Sequence, residues 1–222
     1  MSVSIDVIKR GVTNSYLIRE RGAILVDAGG HAQARAVVAG LSRLLEDPRS
    51  LKLIVITHAH FDHAGAAAAV HEATGAPVAV HSADSQWLRE GTVLVPRGTT
   101  PWGRFFRTTF MPLMLPLVKM PALEPDLVMK GDDMDLAPYG IAGRVIHTPG
   151  HSPGSVSVLL ESGEAFVGDL AMNGPPFCLK PRFGIFAHEP DRVPGSYAKL
   201  VALGARKIYP AHGRPFAASE LA

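Results

Sequence analysis

Thr57-His58-Ala59-His60-Phe61-Asp62-His63-Ala64-Gly65 is the stretch that decides how this chain folds. It follows an apolar run at 53–56 that predicts a strand, and it holds four side chains of metal-binding type within six residues. In a tight turn after a strand, His58 and His60 can point the same way, while Asp62 and His63 continue around the turn. One tetrahedral ion does not easily take four ligands from so short a loop, so the stretch favours two adjacent ions.

Three further residues of the same chemical types lie in turns rich in glycine and proline. They are His151 in Thr-Pro-Gly-His-Ser-Pro-Gly, Asp169 in Val-Gly-Asp, and His212 in Tyr-Pro-Ala-His-Gly. Glycine and proline let the backbone turn sharply while it presents one side chain. Because a carboxylate has two oxygens, Asp169 can bridge two ions, and the other six residues then divide into two sets of three.

Hydrophobic patterning predicts a layered α/β domain. The predicted strands cover 3–9, 14–19, 23–26, 52–56, 77–80, 143–147, 155–160, 164–168 and 206–209. The predicted helices cover 31–46, 64–74, 83–90 and 190–203. Three of the strands run directly into ligand-bearing turns, and such turns gather along one edge of a sheet, where loops on a rigid scaffold can form a site.

The order of these motifs resembles the metallo-β-lactamase superfamily over nearly the whole chain. The resemblance includes the strand Asn14-Ser-Tyr-Leu-Ile18 and the turn Leu25-Val-Asp-Ala-Gly29. It implies a four-layer αβ/βα sandwich, in which two mixed sheets pack face to face with helices outside and the metals at one edge. It also implies which residues hold each ion. The first ion would be held by His58, His60 and His151, the second by Asp62, His63 and His212, and Asp169 would bridge the two.

The resemblance implies a hydrolase that uses two divalent ions, with zinc expected and iron or manganese as alternatives. A hydroxide shared by two ions would attack the carbonyl of an ester, thioester, lactone or lactam. Asp62 would then be both a ligand and the proton acceptor. The alternatives are an iron-dependent redox enzyme of the same fold, similar to persulfide dioxygenases, and a phosphodiesterase.

Other residues are candidates for supporting roles around these ions. Asp27 is expected to orient a ligand loop, since ligating histidines need a partner for their second nitrogen; a turn-capping role is the alternative. Asn173 is a candidate donor to the oxyanion. Lys180 and Arg182 are candidates to clamp a substrate carboxylate, unless they simply belong to a solvated loop.

We predict one domain over residues 1–222, with an apolar insertion at about 92–130. Phe106 and Phe110 lie in this insertion and are candidate contacts for an apolar acyl part of the substrate. The insertion admits three interpretations: a lid or pocket wall, a homodimer contact, or a shallow membrane contact helped by its arginines and lysine.

Composition limits the kinds of binding partner and the location that we expect for this protein. The net charge is +2 without a dense run of Lys or Arg, which argues against nucleic acid and leaves a small molecule as the expected substrate. The single cysteine, Cys178, excludes an intramolecular disulfide framework. No apolar run reaches the ~20 residues of a spanning helix, and the N-terminus has no charged-then-apolar leader, so a cytoplasmic location is expected.

Overall fold

The computed structural model describes residues 3–131 and 133–221, and two six-stranded sheets organise it. The strands in chain order are β1 (Ser4–Arg10), β2 (Thr13–Arg19), β3 (Ala23–Val26), β4 (Leu53–Val55), β5 (Val78–His81), β6 (Arg97–Gly98), β7 (Leu127–Met129), β8 (Asp133–Asp135), β9 (Gly143–His147), β10 (Val156–Leu160), β11 (Glu164–Phe166), β12 (Ala171–Met172), β13 (Arg182–Phe183), β14 (Phe186–Ala187), β15 (Lys207–Tyr209) and β16 (Phe216–Ala217). The helices are α1 (Ala34–Leu44), α2 (Phe61–Ala64), α3 (Ala67–Thr74), α4 (Ser82–Glu90), α5 (Pro101–Thr109), α6 (Met111–Met114) and α7 (Val193–Ala202).

Both large sheets are mixed. The first has the order β1-β2-β3-β4-β5-β7, with β3, β4, β5 and β7 parallel and the β1–β2–β3 pairs antiparallel. The second has the order β16-β15-β11-β10-β9-β8, in which only the β11–β15 pair is parallel among the described residues. The β3 and β10 segments are apolar almost throughout and buried along their whole length, as is typical of strands covered on both faces.

The hydrophobic core has three layers that match this arrangement. The central layer lies between the sheets and includes Ile24 and Val55 from the first and Val158 and Phe166 from the second. A second layer joins the other face of the first sheet to α1, α3 and α4. A third joins the other face of the second sheet to α7, for example through Leu200. The predicted αβ/βα sandwich is therefore confirmed.

Most predicted strands and helices are present, with shifts of one to three residues at their ends. Several short strands of the structure were not predicted. The edge strands β7, β8 and β16 have two or three residues each, too few for alternation to stand out from the flanking loops. The predicted helix 64–74 divides into α2 and α3, and the turn between them closes at Gly65 and Ala66.

The predicted insertion at about 92–130 is partly helical, and its last strand belongs to the main sheet. It contains α5 and α6, and β7 at its end pairs in parallel with β5, so this strand belongs to the main sheet. The single domain over 1–222 stays a prediction, and residues 1, 2, 132 and 222 lie outside the described part. Within that part, no helix combines the length and apolar character needed to cross a membrane.

Candidate metal centre

The ligand-bearing turns follow strands that end at the same edge of the two sheets. Thr57 and His58 follow β4, whereas α2 carries Asp62 and His63. Asp169 follows β11, and His212 follows the parallel neighbour β15. The topology therefore brings the ends of both sheets together on one site.

All seven predicted ligands meet in one cluster, in which every member except Asp62 is buried. Three groups have ligand atoms within 4.8 Å of one another: His58 with His60 and His151, His58 with His63 and Asp169, and Asp62 with His63 and His212. The first and third groups are the two sets that the sequence resemblance implied. His63 belongs to two of the groups, so the cluster is continuous.

Asp169 lies between the two sets. Its Oδ1 is 3.3 Å from His63 Nε2 and 3.2 Å from His212 Nε2, while its Oδ2 is 3.7 Å from His151 Nε2. Asp62 Oδ2 lies 3.3 Å from His212 Nε2. One carboxylate therefore faces both sets through different oxygens, which is the arrangement that a bridging ligand requires.

The outward-facing nitrogens of four histidines are held by the surrounding protein. The Nδ1 of His151 donates to the Phe186 carbonyl at 2.9 Å, and that of His212 donates to the Val12 carbonyl at 2.8 Å. His63 Nδ1 lies 2.8 Å from Asp27 Oδ2. His58 Nδ1 lies 3.1 Å from the Thr57 hydroxyl, which itself donates to Asp27. These bonds direct each Nε2 into the cluster, as expected for ligating histidines.

Several inward-facing atoms have no hydrogen-bond partner in the described structure. The unpaired buried atoms include the Nε2 atoms of His58 and His63 and the Oδ1 of Asp169. His60 Nδ1 and His151 Nε2 face each other at 3.0 Å. Buried polar atoms without partners are rare because each costs free energy. A nitrogen and oxygen donor set of this kind fits divalent metal ions, which would satisfy these atoms.

The two sets differ in charge when no metal is bound. Burial holds the pKa of His58, His60 and His151 below the ordinary histidine value. Burial also acts to lower the pKa of His63 and His212, but nearby carboxylates outweigh it. Asp62, Asp27 and Asp169 hold the pKa of His63 well above its usual range, and Asp169 and Asp62 raise the pKa of His212 to about 10.

Asp27 supports the turn that carries the first histidines. Its φ of 59° puts it in the left-handed region, which Asp tolerates better than most residues. One carboxylate oxygen accepts the Thr57 amide at 2.8 Å, and the other accepts the Thr57 hydroxyl and lies beside His63. The carboxylate thus fixes the β4 turn and one ligand ring together.

Asp84 is a supporting residue that sequence reasoning missed. It is fully buried at the start of α4 and accepts the Ala59 amide at 3.2 Å, the Gly154 amide at 2.8 Å and the Ser152 hydroxyl at 2.6 Å. It thereby joins the His58–His60 turn to the loop of His151. A Cβ at position 154 would meet the Asp84 carboxylate at 2.6 Å, so this contact requires glycine. In the sequence, Asp84 is an acidic residue in the first turn of a helix, a common feature without a functional signal.

An apolar cavity of about 320 Å³ opens onto the cluster. Its floor includes His60, Asp62, His151, Asp169 and His212. The walls are apolar side chains: Val12, Phe61, Leu94, Val95, Pro96, Phe106, Met111, Met114, Met172, Pro176, Phe177 and Phe186. No lysine or arginine of the described residues lines it.

Of the five predicted substrate contacts, the structure brings only Phe106 into this wall. Phe110 packs on Phe106 with ring centroids 5.2 Å apart but is itself part of the exposed surface. Asn173 is buried outside the cavity, where its backbone N–H donates to the His212 carbonyl at 2.8 Å. Lys180 and Arg182 do not line the cavity. Both side chains are exposed to solvent, as is usual for these residue types.

Aromatic residues outside the predicted ligand set also lie around the cluster, and one of them is His188, for which the sequence left a surface loop or a contact near the site as alternatives. The Trp87 ring is nearly parallel to that of His60, with centroids 6.2 Å apart, and the His188 ring lies 5.6 Å from His60. Phe177 contacts His212 with centroids 4.9 Å apart. Trp87, His188 and Phe177 lie outside the ligand motifs in the sequence. No local pattern therefore predicts that they contact the ligand histidines.

Among proteins of known sequence, the chain is similar to hydroxyacylglutathione hydrolase GloC of Haemophilus influenzae, with 26% identity over 156 residues, 70% of this chain and 64% of GloC. It is also similar to the human acyl-coenzyme A thioesterase MBLAC2, with 27% identity over 225 residues, 94% of this chain and 75% of MBLAC2. The chain spans only 58–65% of the length of several curated relatives, GloC among them.

Among solved structures, the BLEG-1 B3 metallo-beta-lactamase shares the fold, with a TM-score of 0.69 and 23% identity. The match covers 99% of this chain and 95% of BLEG-1. The sequence model of the metallo-beta-lactamase superfamily matches residues 8–212, which include all seven clustered residues. The chain belongs to the metallo-beta-lactamase superfamily.

Proposed function

We propose that this chain is a two-metal hydrolase of esters or thioesters whose acyl part is apolar. The observation that carries the proposal is the apolar cavity that ends on the seven-residue cluster. Superfamily membership and relatives named as a hydrolase and a thioesterase support the reaction type. The cavity walls support the substrate class.

We assign one ion to His58, His60 and His151 and the other to Asp62, His63 and His212, with Asp169 shared. Bound zinc or a related divalent ion supplies Lewis acidity and makes hydroxide available near neutral pH. Asp62 is the proton acceptor, since its carboxylate is part of the cavity floor and its side chain is 27% exposed, unlike the histidines around it. Phe106 and Phe177 exclude water from the acyl part of the substrate.

The cavity lining argues against a phosphodiesterase, and the ligand cluster argues against an iron-dependent redox enzyme. A phosphodiester carries a charge that is usually held by arginine or lysine, and none of the described residues of these types lines the wall. A redox enzyme with one iron needs only part of the ligand set, whereas both sets meet here. Metal analysis of the purified protein and a measurement of oxygen uptake separate the redox alternative from the hydrolase.

The first test of this function uses chain length. Acetyl and dodecanoyl thioesters of N-acetylcysteamine are to be compared, both below their critical micelle concentration. Phe106→Ala removes a large wall side chain, so we expect kcat/KM for the dodecanoyl substrate to fall about tenfold, equivalent to about 1.4 kcal/mol of lost apolar contact, with little change for the acetyl substrate.

Phe105→Ala is the matched control, because Phe105 is on the same helix but is half-exposed and outside the cavity. We expect it to leave both rates unchanged. Equal losses for the two substrates with Phe106→Ala would contradict the assignment of the cavity to the acyl chain.

A second test follows from the charge difference between the two sets. The pKa of about 10 keeps His212 protonated at pH 6–8 in the metal-free protein, and the raised pKa of His63 favours its protonated form, so an ion at this set has to displace protons. The lowered pKa values of His58, His60 and His151 leave these rings neutral. Affinity for the second ion should thus fall at least about tenfold per unit decrease in pH because of His212, and more steeply with His63, while the first ion is retained.

Zinc content after equilibrium dialysis should therefore be near two per chain at pH 8 and decline towards one as the pH falls to 6. Calorimetric titration in buffers of different ionisation enthalpy counts the protons released. Binding of a second ion without proton release would refute the assigned sets.

A further inference from the structure

Two segments join and supply most of the apolar wall of the cavity, and we call these residues, 91–123 and 174–187, the cap. Strand β6 pairs with β14, and the Thr99 amide donates to the Ile185 carbonyl at 2.8 Å. The Trp102 indole donates to the Pro176 carbonyl at 3.1 Å, and Phe106 contacts Phe177. The two segments therefore form one continuous surface.

The cap carries most of the large apolar side chains that the described structure exposes. They are Trp102, Phe105, Phe110, Leu113, Met114, Leu117 and Leu179. The aromatic ones are contiguous, since the ring centroids of Trp102 and Phe105 are 5.6 Å apart and those of Phe105 and Phe110 are 6.0 Å apart. Leu117 is 84% exposed and Leu113 is 73% exposed. Contiguous apolar groups of this kind mark an interaction site.

The charge of the cap is one-sided. It contains six of the 22 Lys and Arg residues of the chain and none of the 20 Asp and Glu residues. The six cations are Arg97, Arg104, Arg107, Lys119, Lys180 and Arg182. The rest of the chain is therefore acidic overall, and the basic character is concentrated where the apolar side chains are exposed.

We propose that the cap docks on an anionic lipid surface. Exposed aromatic and leucine side chains enter the boundary between headgroups and acyl chains, and lysine and arginine attract anionic headgroups. A second copy of this chain is a poorer partner, because two caps with cations and no carboxylates repel each other. An acidic lipid surface complements both the charge and the apolar side chains.

Docking has a consequence that rests on the proposed function. Met114 is exposed on the cap and also lines the cavity, and Phe106 lines the cavity beneath Phe110. An acyl chain can thus pass from the lipid layer into the cavity along apolar side chains. The docking itself rests only on the cap and does not require hydrolysis.

The test is sedimentation of the zinc-loaded protein with vesicles of phosphatidylcholine alone or with one third phosphatidylglycerol. We expect binding to the anionic vesicles that weakens with added salt. The triple variant Phe105→Ser, Leu113→Ser, Leu117→Ser should lose at least about tenfold in affinity. Its matched control is Val201→Ser with Leu203→Ser, which alters exposed apolar residues away from the cap and should bind like the parent.

The contribution of positive charge to vesicle binding is tested with the double variant Arg104→Gln, Lys180→Gln. Both of the replaced side chains are exposed. We expect about a tenfold loss on anionic vesicles, whereas Arg35→Gln with Arg43→Gln on α1 should have no effect. Circular dichroism and zinc content verify that each variant is folded and loaded.

Three outcomes would overturn the docking proposal: no sedimentation with anionic vesicles, equal binding by the parent and the triple variant, or a cap-dependent dimer without vesicle binding. Hydrolysis of the soluble acetyl thioester provides the separate check on the proposed function. If docking fails and this activity remains, only the lipid inference is lost. If vesicle binding remains and no substrate is cleaved, only the hydrolase proposal is lost.

Discussion

Asp169→Ala is expected to lower kcat/KM for acyl thioesters by at least about 100-fold. Loss of a partner outside the ligand shell already costs 10–100-fold in metal affinity or activity, and Asp169 faces both sets of ligands directly. With the carboxylate gone, His63, His151 and His212 lose the oxygens that they surround. The ions then lack their shared ligand, and one of them should be lost.

The fold should survive this change, because the three core layers are formed by other residues. Zinc content, circular dichroism and initial rates are to be measured on the same preparation. Asp133→Ala, in the edge strand β8, is the matched control and should retain full activity. Near-normal turnover by Asp169→Ala with two ions bound would refute the proposed centre.

Asp84→Ala should have the largest effect on stability. The variant leaves the buried amides of Ala59 and Gly154 without an acceptor, at about 1–3 kcal/mol each, although Ser152 keeps its bond to Ser155. Burial raises the pKa of the Asp84 carboxyl, so removing this buried charge offsets part of the loss. We expect the free energy of unfolding to fall by about 2–4 kcal/mol.

A role in positioning predicts more than lost stability. Because Asp84 joins the His58–His60 turn to the His151 loop, zinc affinity at these three histidines should fall about 10–100-fold, with the second set less affected. Asp84→Asn, which keeps one acceptor oxygen, provides an intermediate variant if Asp84→Ala does not fold. Asp126→Ala is the control, because Asp126 also accepts a backbone amide, that of Val78, but lies partly exposed and away from the ligand loops. Unchanged zinc affinity in Asp84→Asn together with reduced stability would limit Asp84 to a structural role.

The seven clustered residues were identifiable in the sequence because each lies in a short motif with a local constraint. His58, His60, Asp62 and His63 occupy one turn, and the glycines and prolines around His151 mark another. The apolar runs before these turns indicated strands, so the convergence at one sheet edge followed from the alternation of strands and helices. These features are local, and local features are readable in one sequence.

Contacts between distant residues were not readable in this way. Asp84 acts on residues 25 and 70 positions away, and nothing near it in the chain reports Ala59 or Gly154. Lys180 and Arg182 follow the Asp169 turn closely in sequence, which suggested a substrate clamp, yet the structure leaves them exposed. Sequence proximity does not fix the direction of a side chain when the loop between is irregular.

The sequence by itself determined the class of fold, the seven-residue cluster and the presence of an apolar segment between the two halves. Only the tertiary structure decided which side chains of that segment line the cavity and which face solvent. Phe106 lines the cavity, whereas Phe105 faces solvent. The reason is physical: composition and motifs fix which groups are available, whereas burial depends on which other segment packs against each face of a helix. Here the 174–187 segment packs against α5 through Phe177 and Pro176, and no periodicity in either segment specifies that pairing.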